Sequence, residues 1–258
     1  MTEVTLRPIG IVRSPHRTAG SVPAEGSDAT IEIHEPYRAG LRGIERNSHL
    51  IVLGWFDRAS RDQLVGGHHE LNGVFGLRSV GRPNPIGLAI CRLIMAGPAS
   101  LRVADLDFLD GTPIVDLKRY SPSWDCIFSA RSSRDLRPAQ ATAEAIEEAI
   151  REAAAFHGEV CPAVVTAARW VVETTAAWGI PRKSPELTVE VGRNPHFADA
   201  LQALTAATFG SGRLTVGREG FSTLQYHDQS RYVFGGDWSK FTVEQARTAP
   251  LTDFFLMD

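Results

Sequence analysis

Between residues 6 and 120 the apolar residues fall into short runs, each too brief for a helix and each closed by turn-forming residues. Residues 6–13 (LRPIGIVR) read as a strand ended by Ser14-Pro15. Residues 29–34 alternate, with Ile31 and Ile33 on one face and Glu32 and His34 on the other. Residues 49–56 (HLIVLGWF) form an unbroken apolar run, the pattern of a strand covered on both faces. With 88–95, 101–109 and 114–120 the count reaches six or seven strands, and a short helix is expected only at 36–44. Short strands at this spacing predict an all-β barrel or sandwich. No G-x-G-x-x-G follows a strand and opens a helix, so a doubly wound dinucleotide site is not expected.

Set into this region is residues 73–88, GVFGLRSVGRPNPIGL. Pro83 and Pro85 fix their own φ and hold the preceding residues extended, which presents Asn84 in a rigid frame. Gly81 and Gly87 permit approaches that a Cβ would block. Two guanidiniums, Arg78 and Arg82, and one amide in a stiff loop suit a polar, partly anionic small molecule; a surface turn with solvated arginines is the plain alternative. Residues 57–72 contain Gly66-Gly67-His68-His69 and read as a loop in which those histidines are solvated. Further on, Asp110-Gly111-Thr112-Pro113 is a turn signal, and Asp116 and Lys118, two apart on the next strand, share a face.

Charge limits the partners. Residues 1–137 carry 17 Lys+Arg against 15 Asp+Glu, and residues 138–258 carry 10 against 15. Only Lys118, Lys183 and Lys240 are lysines, so positive charge is nearly all guanidinium, which suits paired recognition of a carboxylate or phosphate. A broad basic footprint for nucleic acid is not evident. No apolar run reaches membrane-spanning length, and no signal peptide is visible at the N-terminus. Three widely spaced cysteines, Cys91, Cys126 and Cys161, argue against a disulfide framework, so the expected location is cytoplasmic.

Residues 130–138 (ARSSRDLRP) read as a linker between domains at 1–130 and 138–258. Beyond it, 139–156 has helical periodicity, Pro162 opens a second helix running to Gly179, and 198–209 is a third. Residues 187–191 are an expected strand, and 214–216, 223–226 and 232–234 are expected strands of an antiparallel sheet, making this half α+β. His157 and Cys161 are four apart at a helix entrance, a spacing able to ligate a soft or borderline metal, although a lone H-x-x-x-C equally fits a structural role.

Three blocks, PIGIVRSPHR (8–17), GVFGLRSVGRPNPIGLAICRL (73–93) and LDFLDGTPIVDLKRY (106–120), resemble the TsaA-like (TrmO-type) family across residues 5–130. The resemblance implies a β-barrel methyltransferase domain that binds S-adenosylmethionine near a homodimer interface, with tRNA adenosine as the family's usual acceptor. It implies cofactor binding by Phe75, Arg78, Ser79, Arg82, Leu109, Asp110, Gly111 and Thr112. Arg78 or Arg82 would take the carboxylate, and Asp110 would accept from the ribose or amino group. Asp116 and Asn84 are the expected catalytic residues, Asp116 as acceptor of a nucleophile's proton. Lys118, Tyr120 and His49 are the expected acceptor-side residues, although His49, opening an apolar strand, also fits a structural role. Val80-Gly81 departs from the family's loop on the acceptor side.

Residues 150–235 resemble the FmdE-like family of formylmethanofuran dehydrogenase, through HGEVCPAVVTAAR and ADALQALTAATFGSGRLTVGREG. His196 stands where that family's second Cys would be, and Ala207 where its third would be. His157, Cys161 and His196 are therefore the candidate ligands of a divalent metal such as zinc. The expected function is methyl transfer from S-adenosylmethionine to a small molecule held between barrel and second domain. The alternatives are a tRNA (threonylcarbamoyladenosine) N6-methyltransferase and a non-catalytic metal or nucleoside sensor.

Overall fold

Alternation of buried and more exposed positions, clearest in the strands at 27–33, 49–55 and 86–91, sets the geometry of the first half. The computed structural model describes residues 4–23, 26–66, 72–128, 130–217, 220–234 and 240–250. It divides the chain into two units, 1–127 and 128–258. In the first, strands β1 (Gly10–Arg13), β2 (Ser27–Ile33), β3 (His49–Trp55), β4 (Ile86–Ala96), β5 (Ser100–Leu106) and β6 (Pro113–Arg119) close into a barrel. The order is β1-β2-β5-β4-β3-β6, and every neighbouring pair is antiparallel. Closure leaves no sheet edge in need of a partner. Ile31, Leu50, Val52, Cys91, Leu101 and Leu106 fill the interior.

The apolar run 49–56 is not covered on both faces. Leu50 and Val52 point into the barrel, whereas Ile51, Leu53 and Trp55 are half-buried opposite Ile90, Leu88 and Ile86 of β4. Residues Glu35–Leu41 form a 3-10 helix rather than an α-helix, so the element expected at 36–44 is shorter and tighter.

Two local features shape the rim. Gly54 of β3 pairs with Gly87 of β4. A Cβ on Gly54 would lie 2.6 Å from the Phe108 ring, and one on Gly87 would lie 2.2 Å from Phe56. The missing side chains admit these two rings, which meet edge to face at 5.1 Å. On the β5 side, the register against β2 shifts between Ser27 and Ala29, and Asp105 takes a left-handed φ of 65°. Such a bulge re-aims the side chains that follow it. The β6 turn is knitted onto β1: Gly111 N donates to Val12 O, Asp110 N to His16 O, and Asp110 Oδ1 accepts from Ser14 N at 3.1 Å.

The second unit packs helices α1 (Ala143–His157), α2 (Pro162–Ala177), α3 (Pro195–Thr205) and α4 (Val243–Thr248) with strands β7 (Thr188–Val191), β8 (Leu214–Val216), β9 (Phe221–Tyr226) and β10 (Gln229–Phe234). The sheet order is β8-β7-β9-β10. It is mixed rather than antiparallel, because β8 runs parallel to β7. α2 is apolar on most sides, with Val164, Val165, Trp170 and Val171 all buried, and it sits in the core of the unit. Thr142, Asn194 and Thr242 cap α1, α3 and α4 through side-chain acceptors. Among the described residues no helix is long and apolar enough to cross a membrane.

Candidate functional site

The glycine pair and the bulge converge on one crevice at the barrel rim. Its larger part encloses about 560 Å³ and its smaller part about 310 Å³, and the two share Phe56, Val80 and Asp107. Phe56 and Phe108 contribute aromatic surface, and Ile86, Leu88 and Ile90 of β4 form an apolar wall. Arg78, Ser79 and Arg82 come from the loop before β4, and Asp105 and Asp107 from the bulged end of β5. Leu109 and Thr112 line the smaller part. An aromatic surface ringed by both charge signs suits a zwitterionic ligand with an aromatic portion.

Asp107 lies at the junction of the two parts. Burial pushes its carboxyl above the usual aspartate range, while a backbone N–H and the Arg78 guanidinium pull the other way. Arg78 spends one bond on Leu88 O at 3.2 Å. Arg82 is more deeply committed: Nε donates to Ser79 O at 3.0 Å, and Nη2 to Val74 O at 3.1 Å and Leu77 O at 2.6 Å. It is the clasp that folds its own loop, so Arg78 is the freer of the two guanidiniums for an incoming carboxylate.

The remaining sequence candidates lie elsewhere. Phe75 is 81% exposed and lines neither part of the crevice. Asn84 is exposed, and its carbonyl accepts from Ile86 N. Asp116 sits mid-strand on the outer barrel face, paired with Lys118 Nζ at 2.6 Å. Antiparallel register puts Lys118, Tyr120 and His49 at the opposite end of β3 and β6 from the crevice, where the His49 and Tyr120 rings meet at 6.3 Å. Asp110 and Gly111 bond to the β1 end and line neither part. Asp105, Asp107, Phe56 and Phe108 are the residues that sequence reasoning passed over. The only signal was the run of acids at 105, 107 and 110, which does not say which of them faces a cavity. Gly67, His68 and His69 lie outside the described residues.

In the second unit, His157 ends α1, Cys161 is the N-cap of α2, and His196 is in the first turn of α3. One ligand atom from each lies within 4.8 Å of the others. His157 Nδ1 is 3.0 Å from Asp199 Oδ2. An ionised carboxylate only accepts, so that nitrogen carries the proton and Nε2 presents its lone pair to the cluster. Nε2 is 2.8 Å from His196 Nδ1, which is 3.8 Å from Cys161 Sγ. Three donors facing one point, with the ring of His157 held by a carboxylate, fit a borderline metal ion.

Fold and site together define a closed antiparallel barrel with a charged, aromatic-lined crevice, joined to an α+β unit with a His/Cys/His cluster. The family model described as tRNA-methyltransferase O N-terminal domain matches residues 11–126, and the model described as FmdE, molybdenum formylmethanofuran dehydrogenase operon, matches residues 156–244. An S-adenosyl-L-methionine-binding protein of Archaeoglobus fulgidus is 46% identical over 129 residues, which are 47% of this chain and 93% of that protein. The chain belongs to the family of the tRNA-methyltransferase O N-terminal domain. A second Archaeoglobus fulgidus protein, "Probable S-adenosyl-L-methionine-binding protein", is 35% identical over 83% of this chain, which spans 61% of that relative's length. A crystal structure of TrmO superposes with a TM-score of 0.45 at 30% identity, covering 58% of this chain and 75% of that one.

Proposed function

We propose that the barrel crevice binds S-adenosyl-L-methionine and that the chain is a methyltransferase. The observation that carries this reading is that Arg78, Asp105 and Asp107 line one cavity together with the Phe56 and Phe108 rings. Arg78 offers paired N–H donors to a carboxylate. Asp105 and Asp107 face cationic groups, and the two rings with Ile86 and Leu88 give an aromatic base an apolar surface. The names of the Archaeoglobus relatives support the same ligand. Bound there, the cofactor supplies an electrophilic methyl group for in-line displacement. The protein's part is then chiefly alignment and exclusion of water. Calorimetric titration of the full chain with S-adenosylmethionine and S-adenosylhomocysteine tests this, with micromolar affinity expected for both; no heat with either overturns the reading.

The proposed acceptor is a small molecule. Support comes from the acidic second half and the presence of only three lysines, since phosphate neutralisation normally drives RNA affinity. A tRNA acceptor, suggested by the description of the matching family model, predicts binding that falls steeply with salt. A gel shift with bulk tRNA at low salt separates the two.

For assembly we propose a homodimer through the barrel, supported by Ile86, Leu88 and Ile90, each more than two-fifths exposed on β4. Sedimentation velocity tests it. Three free cysteines support a reducing, cytoplasmic location. For the second unit we propose a divalent metal of the zinc class on His157, Cys161 and His196, supported by the convergence of their donors within 4.8 Å. Metal analysis of untagged protein tests it.

A further inference from the structure

We propose that the His157–Cys161–His196 centre is an open one, with three protein ligands and a fourth position that takes a small exogenous anion. The inference rests on the metal reading above. Structural zinc sites are closed by four protein ligands, whereas sites that exchange a ligand keep three. Here three donors converge, and among the described residues no fourth joins them. The Asp199 carboxylate is committed to His157 Nδ1 at 3.0 Å, where it orients a ligand instead of acting as one. His196 is exposed, so the centre opens to solvent.

The fold does not need a metal to staple it. Ala149, Ile150 and Ala153 of α1, Val164 and Val165 of α2, and Phe197 of α3 already bury a continuous core beside the cluster. α1 and α3 also carry their own side-chain entry caps, Thr142 and Asn194, and the C-cap N–H of all three helices bonds back to a carbonyl of its own helix.

Electrostatics select the class of the fourth ligand. Two neutral imidazoles and one thiolate leave a divalent ion with a single net positive charge. The cluster sits at the C-terminal end of α1, which favours a cation, and at the N-terminal ends of α2 and α3, which favour an anion. α2, 16 residues long, begins at Cys161 without a side-chain cap bond, unlike α1, α3 and α4. Pro162 has no N–H, so the N–H groups of Ala163 and Val164 are the first-turn donors that an anion at the fourth position would meet. When loaded, such a centre supplies a Lewis acid to whatever occupies that position.

The test is optical spectroscopy of the full chain loaded with cobalt(II) and titrated with azide. Ligand-field bands with a thiolate charge-transfer band are expected on loading, and a saturable change in those bands is expected with azide. Cobalt bound with a spectrum indifferent to azide overturns the open centre and leaves the metal reading standing. No cobalt bound overturns both. As an independent measurement, Asp199→Ala is expected to weaken cobalt binding by about tenfold to a hundredfold, with far-ultraviolet circular dichroism unchanged. Unaltered affinity in that variant overturns the orienting role of Asp199.

Discussion

Gly54 of β3 lies directly opposite Gly87 of β4, and the space left by their two absent side chains is where the Phe108 and Phe56 rings enter the crevice. A pair of small residues in two strands thereby sets the aromatic surface of a binding site. Filling that space is predicted to disturb both fold and site. Gly87→Ala puts a Cβ 2.2 Å from Phe56 Cζ in the unrelaxed structure. Relief requires the ring to move, at a cost of about 1–3 kcal/mol. Urea unfolding is expected to show that loss, and calorimetry a parallel loss of S-adenosylmethionine affinity. An unchanged midpoint and affinity would falsify the account of the glycine pair.

The two loop arginines are predicted to separate. Arg82 holds three carbonyls of its own loop, so Arg82→Ala is expected to lower Tm and affinity together. Arg78 makes a single carbonyl bond. Arg78→Ala is expected to leave Tm nearly unchanged while weakening cofactor binding by about 1.5–3 kcal/mol, the worth of a charged hydrogen bond. Equal Tm losses in the two variants would contradict this division.

Asp107 is predicted to set a pH dependence. Its carboxyl is raised by burial, so the ionised form costs stability in the folded state. The stability contributed by its proton is fully present below the unfolded value of about 3.9 and is lost as pH rises through the folded value. Asp107→Asn removes that loss, so the variant is expected to gain on wild type as pH rises through this window. Cofactor affinity should move the other way, because the ionised carboxylate faces the ligand's cationic groups. Thermal melts and calorimetry between about pH 4 and 8 check both signs, and a pH-independent difference in stability would discard the first.

In the second unit Lys183 bridges Glu152 at 2.6 Å and Asp135 at 3.2 Å, with all three side chains largely buried. Burial alone would lower the lysine, but the two carboxylates more than offset it and its pKa is raised. This contribution is present below the unfolded lysine value of about 10.4 and is lost as pH rises through the folded value. Asp135 is lowered, its bonds to Ser132 and Lys183 outweighing burial, so its contribution is lost as pH falls through the folded carboxyl value. Lys183→Met is expected to cost about 1.5–3 kcal/mol near neutral pH. It should also flatten both the acid and the alkaline limb of the stability profile. A profile parallel to wild type would show the triad to be energetically idle.

Sequence by itself determined the local layer of this protein. Alternation at 29–34, the Pro-Asn-Pro loop, the Asp-Gly turn and the helix entrance at Pro162 each express a preference satisfied within a few residues of chain. An all-β first unit, barrel or sandwich, and an α+β second unit were legible on that basis, as was the H-x-x-x-C pair; the resemblance to the TsaA-like family singled out the barrel. Tertiary structure alone decided which side chains meet. It turned Arg82 back onto its own loop, and it sent Lys118 and Tyr120 to the far end of the strands whose other end borders the crevice. It also aimed Asp107 rather than Asp110 at the cavity, ran β8 parallel to β7, and brought Asp199 onto His157 across 42 residues. Closure of a barrel fixes register by the sum of all its strand pairings. A one-residue slip reverses every face, and no local pattern records that sum.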